Sequence, residues 1–139
     1  MQFPVWVDNW VAPLEIRKWL PYYITGYDED GIPIYVMEYG KWRYAQALAN
    51  KNEEGRAQTK KTIAKYLMQV SYRMWRDAIA NGGQGIAGIM DWAGFTFANF
   101  ADPDAIQLAL RPFAMMNKFS VYLNYVLLIN GKDGAELSA

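Results

Sequence analysis

Few residues in this chain are equipped for covalent chemistry. The sequence has no histidine and no cysteine. Ser71, Ser120 and Ser138 therefore have no imidazole to accept a proton, which excludes the usual hydrolase triad. The same absence removes the nitrogen and sulfur ligands of zinc and transition-metal centres, so no metal site is expected. Asp28, Glu29 and Asp30 form a carboxylate cluster that could face a hard cation such as calcium. A dedicated loop supplies many more oxygen ligands, however, and acidic residues before a glycine (here Gly31) are ordinary turn chemistry. An exposed turn also does not desolvate a carboxyl group enough for acid–base catalysis. Asp91 closes an apolar run and must find solvent or a hydrogen bond, and it is read as structural. The stretch Gly83-Gln84-Gly85-Ile86-Ala87-Gly88 spells G-x-G-x-x-G. It follows a helical pattern and enters a strand, the reverse of the order that points a helix N-terminus at a pyrophosphate. No enzyme activity and no cofactor are expected.

What stands out instead is aromatic. Aromatic residues make up 16% of the chain, with six Trp and ten Tyr. Trp92, Phe95, Phe97 and Phe100 fall close together, interleaved with small residues such as Ala93, Gly94 and Ala98. One reading is core filling under the next helix; the other is one wall of an apolar cavity. The segment follows a short strand, and open α/β sheets bind ligands in loops at the carboxyl ends of strands.

The elements that would position this segment are read from periodicity. Residues 1–12 show no clear period. A short helix is expected over 13–20, with Pro13 in its first turn and Pro21 ending it. Residues 22–27 and 33–38 alternate around the acidic turn and predict a hairpin. A helix over 41–50 would put Trp42, Ala45, Leu48 and Ala49 on one side, and 50–55 reads as a polar break. The strongest helix runs over 59–81, because Ile63, Leu67, Val70, Met74 and Ala78 recur at helical spacing. Asn81-Gly82-Gly83 supplies its stop. An apolar strand follows at 86–90. A third helix starts near Asp102 with Pro103 at its first position and an apolar side at Ala105, Leu108, Ala109, Pro112 and Phe113, though Pro112 should end or kink it. Met115, Met116 and Phe119 are apolar but ambiguous, residues 122–129 read as a buried strand, and 130–134 as a turn.

Composition bounds the rest. The 139 residues suit one domain, and 53% hydrophobic with 20% charged residues describes a globular chain. Lys plus Arg balances Asp plus Glu at 14 each, with no basic block, so nucleic acid is not an expected partner. No apolar run approaches the roughly 20 residues that span a bilayer, and the first residues lack a secretory pattern. A cytoplasmic protein is expected.

Two motifs carry a resemblance. Residues Gly26, Asp28, Gly31, Pro33 and Ile34 match G-x-D-x-x-G-x-P-[VI], and Asp91 and Gly94 match D-x-x-G at the end of an apolar strand. Their order, with a long helix between them, resembles the CRAL-TRIO lipid-binding family of phosphatidylinositol and tocopherol transfer proteins, over about residues 10–113. The resemblance implies a partial CRAL-TRIO-type α/β fold, a small sheet with flanking helices. It also implies a lipid-binding or transfer protein that holds one hydrophobic ligand without converting it. Carried over by position, the resemblance points to Phe95, Phe97 and Phe100, with Asn99 as a nearby polar group; together with Trp92 of the same aromatic segment they are the expected ligand-binding set. The family's helical bundle before the hairpin is absent. Its Tyr-Pro-Glu-Arg-like turn is replaced by 117–122, and the chain stops after a short tail, 131–139, where relatives continue with more sheet and a gate helix. The resemblance thus implies the N-terminal half of such a domain, as a truncated form. The expected partners are a hydrophobic small molecule or lipid, a transient membrane surface, and a second copy in a homodimer that covers the apolar strand at 122–129. The alternative is an interaction or regulatory protein that keeps the scaffold but transfers nothing.

Overall fold

The structure, a computed structural model, describes residues 3–82, 85–118 and 123–131. The hairpin forms as its alternation and turn residues dictate. Strand β1 (Tyr22–Tyr27) pairs antiparallel with β2 (Pro33–Met37), Tyr22 opposite Met37 and Tyr27 opposite Pro33. The turn is held by Asp28, whose carboxylate accepts from the backbone N–H of Asp30 and of Ile32, both at 2.9 Å. Gly31 closes it at φ +77°, a conformation glycine adopts without strain. The N–H of Ile32 is the chief reason the Asp28 carboxyl is held below its ordinary range.

From β2 the chain crosses through a 3₁₀ turn (Tyr39–Lys41), a short helix α3 (Tyr44–Leu48) and a long helix α4 (Glu53–Ala80) to β3 (Ile86–Asp91). A second crossover through α5 (Pro103–Lys118) returns to β4 (Leu123–Ile129). The result is a four-stranded mixed sheet in the order β1-β2-β3-β4 with flanking helices, a small α/β fold as expected. Both crossover connections join parallel neighbours, β2 to β3 and β3 to β4. Among the described residues no helix is long and apolar enough to cross a membrane.

Helix α4 is the spine. Asn52 caps it by accepting from the Gly55 N–H at 2.8 Å, and Glu53 and Glu54 sit in the first turn, where the helix dipole favours negative charge. Its stripe Ile63, Leu67, Val70, Met74 and Ala78 is buried, packed with Tyr35 of β2 and Ile86 of β3. Gln69 is also buried, and its amide donates to the carbonyls of Val7 (2.8 Å) and Trp10 (2.7 Å). That pair of bonds ties down the N-terminal segment, including helix α1 (Trp6–Asn9), which is too short to show a period in sequence. Helix α2 (Leu14–Trp19) follows, with Pro13 as its cap residue and not inside its first turn.

Four expectations are corrected. Helix α4 starts at Glu53 and not at 59, because the polar break hides a capping residue and Gly55 is tolerated in a first turn. The expected helix over 41–50 is split. Arg43 donates its backbone N–H to the Trp19 carbonyl (3.0 Å) and Trp42 its indole N–H to Pro21 (2.8 Å), and α3 begins only after this tether. Its buried residues are Tyr44, Ala47 and Leu48, while Ala49 is exposed. Helix α5 runs through Pro112 to Lys118, since a proline removes only one donor from the ladder. Strand β4 is not buried; among the described residues it is an edge of the sheet, paired with β3, and Leu127 and Leu128 are exposed. Gly83, Gln84, residues 119–122 and the tail from 132 onward lie outside the described residues, and so do the readings made for them.

Candidate functional site

Because β2, β3 and β4 run parallel, their carboxyl ends lie along one edge of the sheet, and the connections leaving β2 and β3 meet there. After β3 the chain turns at 92–95 and makes a 3₁₀ turn (Phe97–Phe100) before α5. Asp91 anchors this turn. Its carboxylate accepts from the Ala93 N–H and from the Asn130 side-chain amide, both at 3.0 Å. Asn130 first, and Ala93 second, hold the carboxyl below its ordinary range. The Trp92 N–H donates to the Ile129 carbonyl at 3.0 Å. Asp91 therefore joins the ends of β3 and β4, the structural role expected of it.

On the other side the 3₁₀ turn after β2 comes into backbone contact. A Cβ placed on Gly40 would lie 1.8 Å from the Ala93 carbonyl oxygen, so only glycine fits. That approach lets Tyr39 stack on Trp92, centroids 5.6 Å apart at 20°. Trp92 meets Phe95 edge-on at 4.9 Å, and Phe95 in turn packs against Phe97 at 5.3 Å and Phe100 at 5.4 Å. Asp102 then caps α5, accepting from the Asp104 N–H at 2.8 Å while its other oxygen takes Arg56 at 2.6 Å. The capped helix stands opposite the aromatic segment.

Between them lies an apolar groove of about 580 Å³. The four aromatics form one wall and Ile106 and Leu110 of α5 the other, with Tyr39 and Met90 also contributing. Among the described residues, none that lines it is charged. Phe97 is 66% exposed, Leu110 60% and Ile106 50%, so the mouth is an open apolar surface and not a filled core. Tyr39 and Met90 also line a smaller apolar cavity of about 60 Å³ between the sheet and α4.

Of the expected site residues, the structure brings Trp92, Phe95, Phe97 and Phe100 into one wall. Asn99 it does not: that side chain is buried away from the lining and accepts from Gln46 of α3 at 2.8 Å. Its polar group holds the 3₁₀ turn to α3. Tyr39, Met90, Ile106 and Leu110 were missed. Ile106 and Leu110 do carry a signal, an i, i+4 apolar pair beside the buried Ala105 and Leu108, which marks a second apolar stripe on the same helix.

Chemical capacity is otherwise low. Among the described residues no cluster of acidic side chains could hold a metal ion. The Asp28 group is a turn, and its second oxygen receives the Tyr125 hydroxyl of β4 at 3.0 Å. Tyr35, buried under α4, donates its hydroxyl to Asp77. Among the described residues, two buried side-chain atoms lack partners, the Tyr44 hydroxyl and the Trp92 indole nitrogen. Tyr44 lies behind the groove with its ring 5.5 Å from that of Phe100. An unpaired buried hydroxyl costs about 1–3 kcal/mol, so Tyr44→Phe is expected to stabilise the protein by roughly 1 kcal/mol or more. Urea denaturation measures it, and a less stable variant would show the hydroxyl to be satisfied.

The geometry defines a small α/β protein with an open, apolar aromatic groove where the loops after its parallel strands converge. Comparison of the chain with protein-family models and with curated proteins finds no match.

Proposed function

We propose that the protein binds a small hydrophobic or amphipathic molecule in the aromatic groove and releases it unchanged, in the manner of the CRAL-TRIO lipid-binding proteins its motifs resemble. The observation that carries this reading is the groove itself, about 580 Å³, apolar, and open at Phe97, Ile106 and Leu110. Apolar surface of this kind gains roughly 25 cal/mol per Å² on being covered, and concave, mostly apolar sites are where small ligands bind. No histidine or cysteine stands in the chain to act on a bound molecule.

The test is titration with a fatty acid, tocopherol and a phospholipid, followed by tryptophan emission, together with extraction of any lipid that copurifies. A saturable change is expected. Phe97→Ala separates groove from core. Phe97 is 66% exposed, so its loss is expected to change stability by less than about 1 kcal/mol, yet to weaken binding about tenfold through lost apolar contact. Flat emission for every ligand with no lipid extracted, or a variant that binds like the parent, removes the reading.

A second reading is supported by β4. This edge strand carries no charge between Leu123 and Ile129 and, among the described residues, has a sheet neighbour on one side only, the kind of edge that pairs with another chain. On that reading the protein is an interaction or regulatory module that forms a homodimer through β4, and its groove stays empty of lipid in the same titration.

A further inference from the structure

A second surface is built where the N-terminal segment lies on α4. Its inward residues are already used: Val7, Ala12 and Ile16 are buried. Between them Val5 is 75% exposed, Val11 71% and Leu14 57%. The segment is not loosely attached. Gln69 holds the Val7 and Trp10 carbonyls, and the Phe3 ring packs edge-on against Tyr72 and Trp75 of α4. The three aliphatics are therefore held outward by a fixed scaffold.

Their surroundings are aromatic and basic. Trp6 and Trp10, both partly exposed, meet edge-on at 6.3 Å, and the Lys65 ammonium lies 5.3 Å from the first ring and 4.6 Å from the second. A cation over an indole face is attracted by its ring quadrupole. Lys61 stands one turn earlier on α4 and is exposed, and Arg17 and Lys18 are exposed on α2 beyond Leu14. Against these, Asp8 is paired with Arg76 at 2.7 Å, which leaves Glu15 as the acidic residue of the segment with no ion pair among the described residues. The whole chain carries no net charge, so this local excess of cations is an asymmetry and not a bulk property.

Exposed aliphatics beside partly exposed tryptophans and flanked by lysine and arginine match the two layers of a bilayer interface. Indole rings sit at headgroup level, aliphatic tips reach the acyl boundary, and basic side chains meet acidic headgroups. We propose that this N-terminal corner is a peripheral docking surface for an anionic bilayer, with Val5, Val11 and Leu14 entering the interface and Lys61, Lys65, Arg17 and Lys18 facing its charge. With three aliphatic tips and a few cations, the contact is weak and reversible. It does not depend on what occupies the groove.

Vesicle co-sedimentation tests it, using phosphatidylcholine alone and phosphatidylcholine mixed with phosphatidylserine. The protein is expected to pellet with the mixed vesicles, to lose that binding in high salt, and to stay in the supernatant when only neutral vesicles are present. Val11→Asp alters an exposed side chain and is expected to melt like the parent, while Lys65→Glu reverses one charge and gives up its contacts with the Trp6 and Trp10 rings; each is expected to weaken partitioning about tenfold. Phe97→Ala is the control for lipid uptake into the groove and is expected to pellet like the parent. Absence of binding to the mixed vesicles, equal binding to neutral ones, or parental binding by both Val11→Asp and Lys65→Glu overturns the proposal. Loss of binding in Phe97→Ala alone also overturns it, because the vesicles would then be feeding the groove.

Discussion

Raising the pH from about 9 to about 12 is expected to unfold the protein cooperatively, because four tyrosines can ionise freely only once the chain opens. Tyr35, Tyr39, Tyr44 and Tyr66 are all buried. Burial is the leading cause that raises each hydroxyl above its ordinary value of 10, with Tyr39 pushed up to about 12. Tyr35 is held up further by donating to Asp77, whose negative charge opposes a phenolate beside it. A folded-state value above the unfolded one means that the stabilisation is complete below about pH 10. It is lost as pH rises, since the unfolded chain releases protons that the folded chain keeps. Each such group removes about 1.4 kcal/mol per pH unit above that point, so four together remove roughly 5 kcal/mol per unit. A domain of ordinary stability, about 5–15 kcal/mol, reaches its midpoint within one to three units. Far-ultraviolet circular dichroism and phenolate absorbance should change together at that midpoint. Tyr44→Phe, which removes one of the four groups, should move it upward. Full phenolate absorbance near pH 10 with the dichroism intact would show that these hydroxyls reach solvent in the folded state.

How much of this could be read beforehand depends on whether the signal was local. The hairpin was legible because Asp28, Gly31 and Pro33 act within one turn, and the α4 stripe because Ile63 to Ala78 repeat along one helix. The start of α4 was misplaced where two local signals compete: Gly55 reads as a breaker, while the cap at Asn52 lies three residues earlier. The break between the 3₁₀ turn and α3 had no local signal, being set by bonds from Trp42 and Arg43 to residues more than twenty positions away. The same holds for β4. Its composition, Leu-Asn-Tyr-Val-Leu-Leu-Ile, suits a buried strand; the expectation that a second copy covers it anticipated an open edge, and strand order places it at one. At the site, the aromatic wall was visible as a cluster in sequence. The opposite wall was not, since Ile106 and Leu110 become lining residues only when α5 stands across from Phe97. Asn99 was assigned by position within a family pattern, and its partner Gln46 comes from a helix that the pattern does not describe.

Gly40→Ala is expected to be among the most damaging single-methyl changes in the chain, and to damage the groove before the rest of the fold. The added carbon would meet the Ala93 carbonyl oxygen at 1.8 Å, the Ala93 carbonyl carbon at 2.5 Å and the Trp92 carbonyl carbon at 2.8 Å. All three are backbone atoms, so no side chain can turn away and the two connections must separate. Gly40 does not sit at positive φ, so the cost comes from this contact and not from a strained conformation. Separation removes Tyr39 from its stack on Trp92 and loosens the turn from which Phe95, Phe97 and Phe100 project. Forced overpacking costs about 1–3 kcal/mol where side chains can yield, and more where they cannot, so a loss of about 3 kcal/mol or more is expected. The Asp91 bonds to Ala93 and Asn130 resist the shift, because moving the turn strains the ends of β3 and β4 together. Helix α4 and the hairpin hold their own hydrogen bonds, so far-ultraviolet dichroism at low temperature should stay near that of the parent. Tryptophan emission should move to the red as Trp92 loses its cover, and the ligand response of the groove should disappear. A melting temperature within about 2 °C of the parent with unchanged emission would mean that the two connections do not meet backbone to backbone, and the groove would lose the contact that shapes it.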